Sequence, residues 1–190
     1  DVWARYFESF VPYQREILET HEGSFRQMMP SVFIATRNLG AGIDIAYLTQ
    51  AASALIALVL LYRALRSTQD HDLRIALTAA ATFLITPYAC NYDLPLLTAA
   101  LFVGGLVVVA ARFDRPTRLV YGLVWLLPIL VLPANTLGIP LGPLLLWALF
   151  VQLTRLAASA TDRPAAHARL AERVPYAQHE WTPDSVARTG

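Results

Sequence analysis

Lysine is absent from this chain: all 15 basic residues are arginine. A skewed genome accounts for that bias better than a mechanism does, although arginine also suits phosphate ligation by paired N–H donors. Cysteine is almost absent too. The single Cys90 excludes a disulfide within the chain, and no cluster of other metal-type ligands accompanies it. Charge of either sign is scarce, at 15% of residues, against roughly 25% in an ordinary soluble domain. The net charge of +1 gives no electrostatic footprint for nucleic acid.

Apolar residues fill the gap. They make up 56% of the chain, with a mean hydropathy of +0.45, and they come in blocks. Blocks of this kind mark an all-α, polytopic membrane helix bundle rather than a soluble domain with a large core. About five spans are expected: 45 to 62, 73 to 87, 94 to 111, 119 to 132 and 139 to 156. The organisation divides into outward interfacial helices and loop over 1–44, a five-span bundle over 45–158, and a largely disordered tail over 159–190, with a short helix after Pro164. The chain opens on Asp1-Val2-Trp3 with no signal peptide, so it is expected to be a piece of something longer.

Arginine placement predicts orientation. Arg63, Arg66 and Arg74 follow the first span, Arg112, Arg115 and Arg118 follow the third, and Arg155, Arg163, Arg169 and Arg173 follow the fifth, whereas 86–95 and 133–140 carry no basic residue. Cytoplasmic loops collect arginine, so 1–44 and 86–95 face outward and the tail lies in the cytoplasm of a multi-pass inner-membrane protein.

Within 1–44, Trp3, Tyr6, Phe7, Phe10 and Val11 recur at helical spacing and predict an amphipathic helix at the interface, broken at Pro12 and resuming from Gln14 to Thr20. Ser31 is placed to cap a short helix ending before Gly40, and Asp44 to cap the next. Thr49, Gln50 and Ser53 are expected to tie helices together, and Thr78, Thr82 and Thr86 form a face of small residues suited to close helix approach.

Chemistry concentrates in the polar knot Thr86-Pro87-Tyr88-Ala89-Cys90-Asn91-Tyr92-Asp93-Leu94-Pro95 between two apolar runs. Asp93 is the candidate base, because a carboxylate at a membrane boundary is costly unless it is used or paired. The alternative is that Asp93 caps the following helix while Tyr88 and Tyr92 act as interfacial anchors. Arg15, His21, Arg26 and Arg37, interspersed with Glu16, Glu19, Glu22 and Asp44, form a second constellation suited to a lipid phosphate or to simple surface pairing. No Asp-x-Asp pair occurs on the outward side, so neither metal nor cofactor is expected.

The ordered combination Trp3, Met28-Met29-Pro30-Ser31-Val32-Phe33, Arg37, Gly40, Gln50, then Thr86-Pro87-Tyr88 and Asn91-Tyr92-Asp93-Leu94 resembles the C-terminal part of glycosyltransferase family 87, over about residues 1–156. These are integral membrane enzymes of the GT-C class. The resemblance implies transfer of a sugar, typically mannose, from a polyprenyl-phosphate-linked donor to a lipid or glycan acceptor among membrane lipids on the outer face. Arg26 or Arg37 would then hold the leaving phosphate, with Tyr88, Asn91 and Tyr92 as further substrate-binding residues. The main base would lie upstream, leaving this fragment inactive alone. Relatives with a histidine pair in the knot differ from this chain, which has Tyr92 and Asp93 there. A non-enzymatic membrane protein, such as a transporter subunit or scaffold, is the other reading. It fits less well with spans free of mid-membrane charge.

Overall fold

The computed structural model describes residues 1–20, 24–109 and 115–160. Among these the fold is all-α and contains no strand. The N-terminal segment, expected to face outward, comprises α1 (Val2–Arg5), a π-helical stretch (Tyr6–Phe10), α2 (Val11–Thr20), α3 (Ser24–Gln27) and α4 (Val32–Asn38). The bundle follows as α5 (Ile43–Ser67), α6 (His71–Ile85), α7 (Leu94–Val109), α8 (Arg115–Thr136) and α9 (Leu141–Ala160).

All five expected spans are helices. Three of them, Ile43–Ser67, Thr117–Thr136 and Leu141–Ser159, are long and apolar enough to cross a membrane. α6 has 15 residues, about 22 Å of helix, which falls short of a ~30 Å hydrocarbon core. α8 corrects the expected fourth span at both ends: it runs from Arg115 to Thr136 and carries Pro128 and Pro133 inside the helix. The expected short helix after Pro164 lies outside the described residues.

Pro12 does not break the first helix as expected. The chain stays helical from Val2 to Thr20, and the Val11 N–H reaches back to the Tyr6 carbonyl in a π register just before the proline. A wider turn relieves the clash between a proline ring and the preceding turn's carbonyl. Further on, Ser31 caps α4 through Oγ, which accepts from the Ile34 N–H at 3.3 Å. Gly40, at φ +89, closes that helix in a Schellman turn, with bonds from the Gly40 N–H to the Arg37 carbonyl and from the Ala41 N–H to the Thr36 carbonyl. Asp44 is not the cap of α5. Gly42 holds that position, and Asp44 lies in the first turn, where its charge complements the helix dipole.

The bundle core is built from α5, α6, α7, α8 and α9, with Leu77, Leu97, Leu127, Leu146, Leu149 and Phe150 fully enclosed. The helices approach on alanine rather than threonine. Ala76, Ala80 and Ala81 of α6 are buried in the same cluster as Ala57 and Ala64 of α5, while Thr78 and Thr82 are exposed and bond back to the Arg74 and Thr78 carbonyls of their own helix. The expected threonine face is therefore not the packing face. Hydroxyls that can satisfy themselves on the preceding turn need no partner helix.

One end of the bundle gathers 24–42, 86–93 and the end of α8. Gln50, 5% exposed, accepts from the Phe33 N–H at 3.0 Å and donates to the Leu84 and Ile85 carbonyls at 3.0 and 3.1 Å. It thus supplies partners to the open ends of two helices at once. Thr49 meets the Thr36 hydroxyl at 3.0 Å, and Ser53 Oγ accepts from the Trp147 indole at 3.2 Å. All three polar residues of the first span serve as interhelical ties, as expected. Arg63, Arg66 and Arg74 lie at the opposite end, where the Arg74 guanidinium donates to the Leu65 and Thr68 carbonyls.

Candidate functional site

A second, smaller core sits beneath the outward segment. Leu18, Met29, Phe33, Ile34, Ala46 and Cys90 are buried together, with Ile17, Tyr47 and Tyr88 packed against them. Helical spacing across the end of the π-helical stretch and α2 explains their share: Leu18 turns inward, while Phe10, Tyr13, Gln14 and Ile17 form an adjacent stripe. That stripe faces the knot. Between them lies an open cavity of about 250 Å³ lined by Phe10, Tyr13, Gln14, Ile17, Phe25, Met29, Tyr88, Cys90 and Tyr92. The two segments singled out from the sequence therefore meet, and they do so through aromatic rings rather than charges.

Of the residues expected to bind substrate, Tyr88 and Tyr92 line this cavity. The others are engaged elsewhere. Asn91 donates to the Pro128 carbonyl at 3.3 Å and ties the knot to α8. Arg26 Nη2 donates to Asn38 Oδ1 at 3.0 Å, and Arg37 Nη1 donates to the Ala41 carbonyl at 3.0 Å across the Schellman turn. Asp93 is exposed, and its Oδ2 accepts from the Cys90 N–H at 2.9 Å while its own N–H donates to the Cys90 carbonyl at 3.0 Å. That reciprocal pair organises the turn that leads into α7 and holds the carboxylate on the backbone of Cys90, a cavity residue, while Asp93 itself is not among the residues that line the cavity. Pro95 falls in the first turn of α7, where a missing N–H costs nothing.

Phe10, Tyr13, Gln14, Ile17, Phe25, Met29 and Cys90 were not anticipated as site residues. The aromatic stripe was visible at 3–4 residue spacing, but periodicity alone does not say which element it faces.

Asn135 secures the floor of this region. It is 3% exposed, and its amide donates to the Gln27 and Met29 carbonyls at 2.9 and 3.0 Å. Asn38 adds bonds to Gln27 Oε1 at 3.0 Å and to the Asn135 carbonyl at 3.3 Å. The short polypeptide run carrying Met29 is thereby fixed to the end of α8, which holds that wall of the cavity in place.

The phenols of the knot stay neutral. Tyr92 is pushed up to about 12 by its hydrogen bond with the Cys90 thiol. Tyr88 is raised by burial and then by the nearby Glu19 carboxylate, and the Cys90 thiol is raised by burial. Glu19 acts on this wall electrostatically through Tyr88. It accepts from Arg15 Nε at 2.6 Å and from the Tyr47 hydroxyl at 2.9 Å, linking α2 to α5. The Arg15 bond, followed by the Tyr47 bond, lowers its pKa. A depressed carboxylate contributes stability that is present above its unfolded pKa, near 4.3, and is lost as pH falls through the lower folded value. Acid titration of wild-type protein and Glu19→Gln should therefore show a difference in melting temperature at pH 7 that closes below about pH 4. A difference that persists into acid would remove the ionic link as its cause. His21 and Glu22 lie outside the described residues.

The architecture defines a class: an all-α, polytopic membrane helix bundle with an aromatic cavity at one end. The family model of glycosyltransferase family 87 matches residues 1–87, which covers the outward segment, α5 and α6. The chain is thus similar to membrane glycosyltransferases over a little under half its length, and residues 88–156 of the resemblance lie beyond the match. No curated protein matches, and no solved structure matches.

Proposed function

We propose that this chain forms part of a family 87 membrane glycosyltransferase that moves a sugar, mannose in the typical case, from a polyprenyl-phosphate donor to a lipid or glycan acceptor. Residues 1–44 and 86–95 face outward at the inner membrane, the bundle spans 45–158, and the tail over 159–190 is cytoplasmic. The observation that carries the reading is the cavity itself. It forms where the family-matched N-terminal segment meets the polar knot, at the end of the bundle whose connecting links 86–95 and 133–140 carry no basic residue.

Arg26 and Arg37 are the cations for the departing phosphate, and of the two Arg26 directly follows the cavity residue Phe25. Asn91, Tyr88 and Tyr92 orient the polar part of the substrates. Asp93 is the candidate base, because it is exposed and its turn is fixed on Cys90, which lines the cavity. A principal base contributed by a longer polypeptide would complete the centre, and the 190 residues alone would then be inactive.

Transfer of labelled sugar from the polyprenyl-phosphate donor, assayed in membranes carrying the whole protein, tests this. Asp93→Asn should lower kcat on the order of 100-fold or more while leaving donor binding intact. Unchanged transfer in that variant would remove Asp93 from the chemistry. Absence of transfer by the wild-type protein with any polyprenyl-phosphate sugar would overturn the assignment.

A further inference from the structure

We infer that the aromatic cavity is a subsite for a neutral hexopyranose ring of the substrates, and not for the phosphate or the polyprenyl chain; the inference rests on the glycosyltransferase reading. None of its nine lining residues carries a charge. A phosphate seated among them would lose its hydration without an ionic partner, and phosphate binders recruit arginine, lysine or clustered N–H donors. The nearby arginines are turned to other bonds: Arg15 to Glu19, Arg26 to Asn38 and Arg37 to Ala41.

A purely apolar guest is disfavoured for the opposite reason. Three phenols and one amide, those of Tyr13, Tyr88, Tyr92 and Gln14, stand among the walls, and a hydrocarbon would strip water from them without replacing its hydrogen bonds. A pyranose ring offers both kinds of surface. Its C–H face stacks on the negative face of an aromatic ring, and its hydroxyls bond in the plane to phenol and amide groups. Because Tyr92 and Tyr88 stay protonated, the phenols can donate as well as accept at physiological pH. The cavity is open, with Tyr92 64% exposed, as an entry face for a ring carried on a larger molecule requires.

Two surface substitutions probe this without opening the core: Gln14→Leu keeps bulk and removes the amide, and Tyr92→Leu removes ring and phenol. In nanodiscs, saturation-transfer NMR with methyl α-mannopyranoside should show transfer to the ring protons. Either substitution should weaken that binding about tenfold, and neither inorganic phosphate nor geraniol should compete. Displacement by geraniol or phosphate, no transfer to the sugar, or full binding by both variants would each overturn the inference.

The sugar has two sources, and kinetics in the whole protein separates them. A rise of about tenfold in acceptor KM for Gln14→Leu at unchanged kcat would assign the ring to the acceptor, and the same rise in donor KM would assign it to the donor. Both constants unchanged would overturn the subsite while leaving the transferase intact. Sugar binding by a protein that transfers nothing would support the subsite and overturn the transferase.

Discussion

Gln50→Leu should lower stability by about 2–4 kcal/mol, the largest loss from any single polar substitution in the described bundle. The side chain volume is nearly kept, so the cost comes from three groups left without partners: the Phe33 N–H and the Leu84 and Ile85 carbonyls. These belong to the first turn of α4 and the last turn of α6, and membrane surroundings offer little water to replace the amide. Gln50→Glu discriminates hydrogen bonding from packing. An ionised carboxylate places acceptors against both carbonyls, so this variant should be least stable at neutral pH and regain stability as acid protonates it. Thermal unfolding in detergent, followed by circular dichroism across pH, reads both effects. A Leu variant with the wild-type midpoint would show that water or backbone adjustment satisfies those ends instead.

Gly142→Ala is expected to be nearly as damaging for a steric reason. A Cβ at position 142 would stand 2.8 Å from both Cα and Cβ of Pro30 and 3.1 Å from its carbonyl oxygen. Backbone must move to admit it, at about 1–3 kcal/mol. The displaced residue adjoins Met29, a cavity wall that Asn135 holds from the other side. The variant should therefore lose binding at the cavity as well as stability, whereas glycine at the exposed position 122 has open space around its Cβ direction. Comparing Gly142→Ala with Gly122→Ala by melting temperature and by sugar transfer separates crowding from a general effect of glycine replacement. Equal melting temperatures for the two would show that α9 and Pro30 part freely.

The two predictions concern the same design feature. The outward segment makes few contacts of its own along α1 and the π-helical stretch, where every residue is exposed. Its attachment falls to a small set of residues: Leu18 and Met29 in the second core, Glu19 on Tyr47, Gln50 on Phe33, and Asn135 on the run from Gln27 to Met29. Stability of the bundle and shape of the cavity are consequently coupled through those ties.

Local features were legible in the sequence where local physics decides them. Apolar blocks mark the five bundle helices, three of them of membrane length, Ser31 caps α4 because a hydroxyl three residues before a free N–H needs no tertiary help, and Gly40 ends it because only a residue without Cβ tolerates that φ cheaply. That 1–44 and the knot share one side of the bundle follows from the arginines gathered in the alternate links, and the structure brings the two together at one cavity.

Which side chains would face each other was decided only by tertiary structure. Arg26, Arg37 and Asn91 have the chemistry of ligands, but each spends one donor on an acceptor inside the fold once α4, α8 and the knot are packed, and that donor is turned away from the cavity. Pro12 reads as a breaker, yet a π turn immediately before it lets the helix run on and delivers Phe10, Tyr13, Gln14 and Ile17 to one wall. Threonines read as a packing face, but their own backbone satisfies them and alanine takes the interface. The sequence by itself determined the membrane class, the helices and the end of the bundle where they expose polar groups, because burial of apolar surface and backbone hydrogen bonding act over a few residues. The aromatic, uncharged character of the cavity came from bringing together lining residues about 75 apart in the chain, such as Tyr13 and Tyr88, and no local rule orders those.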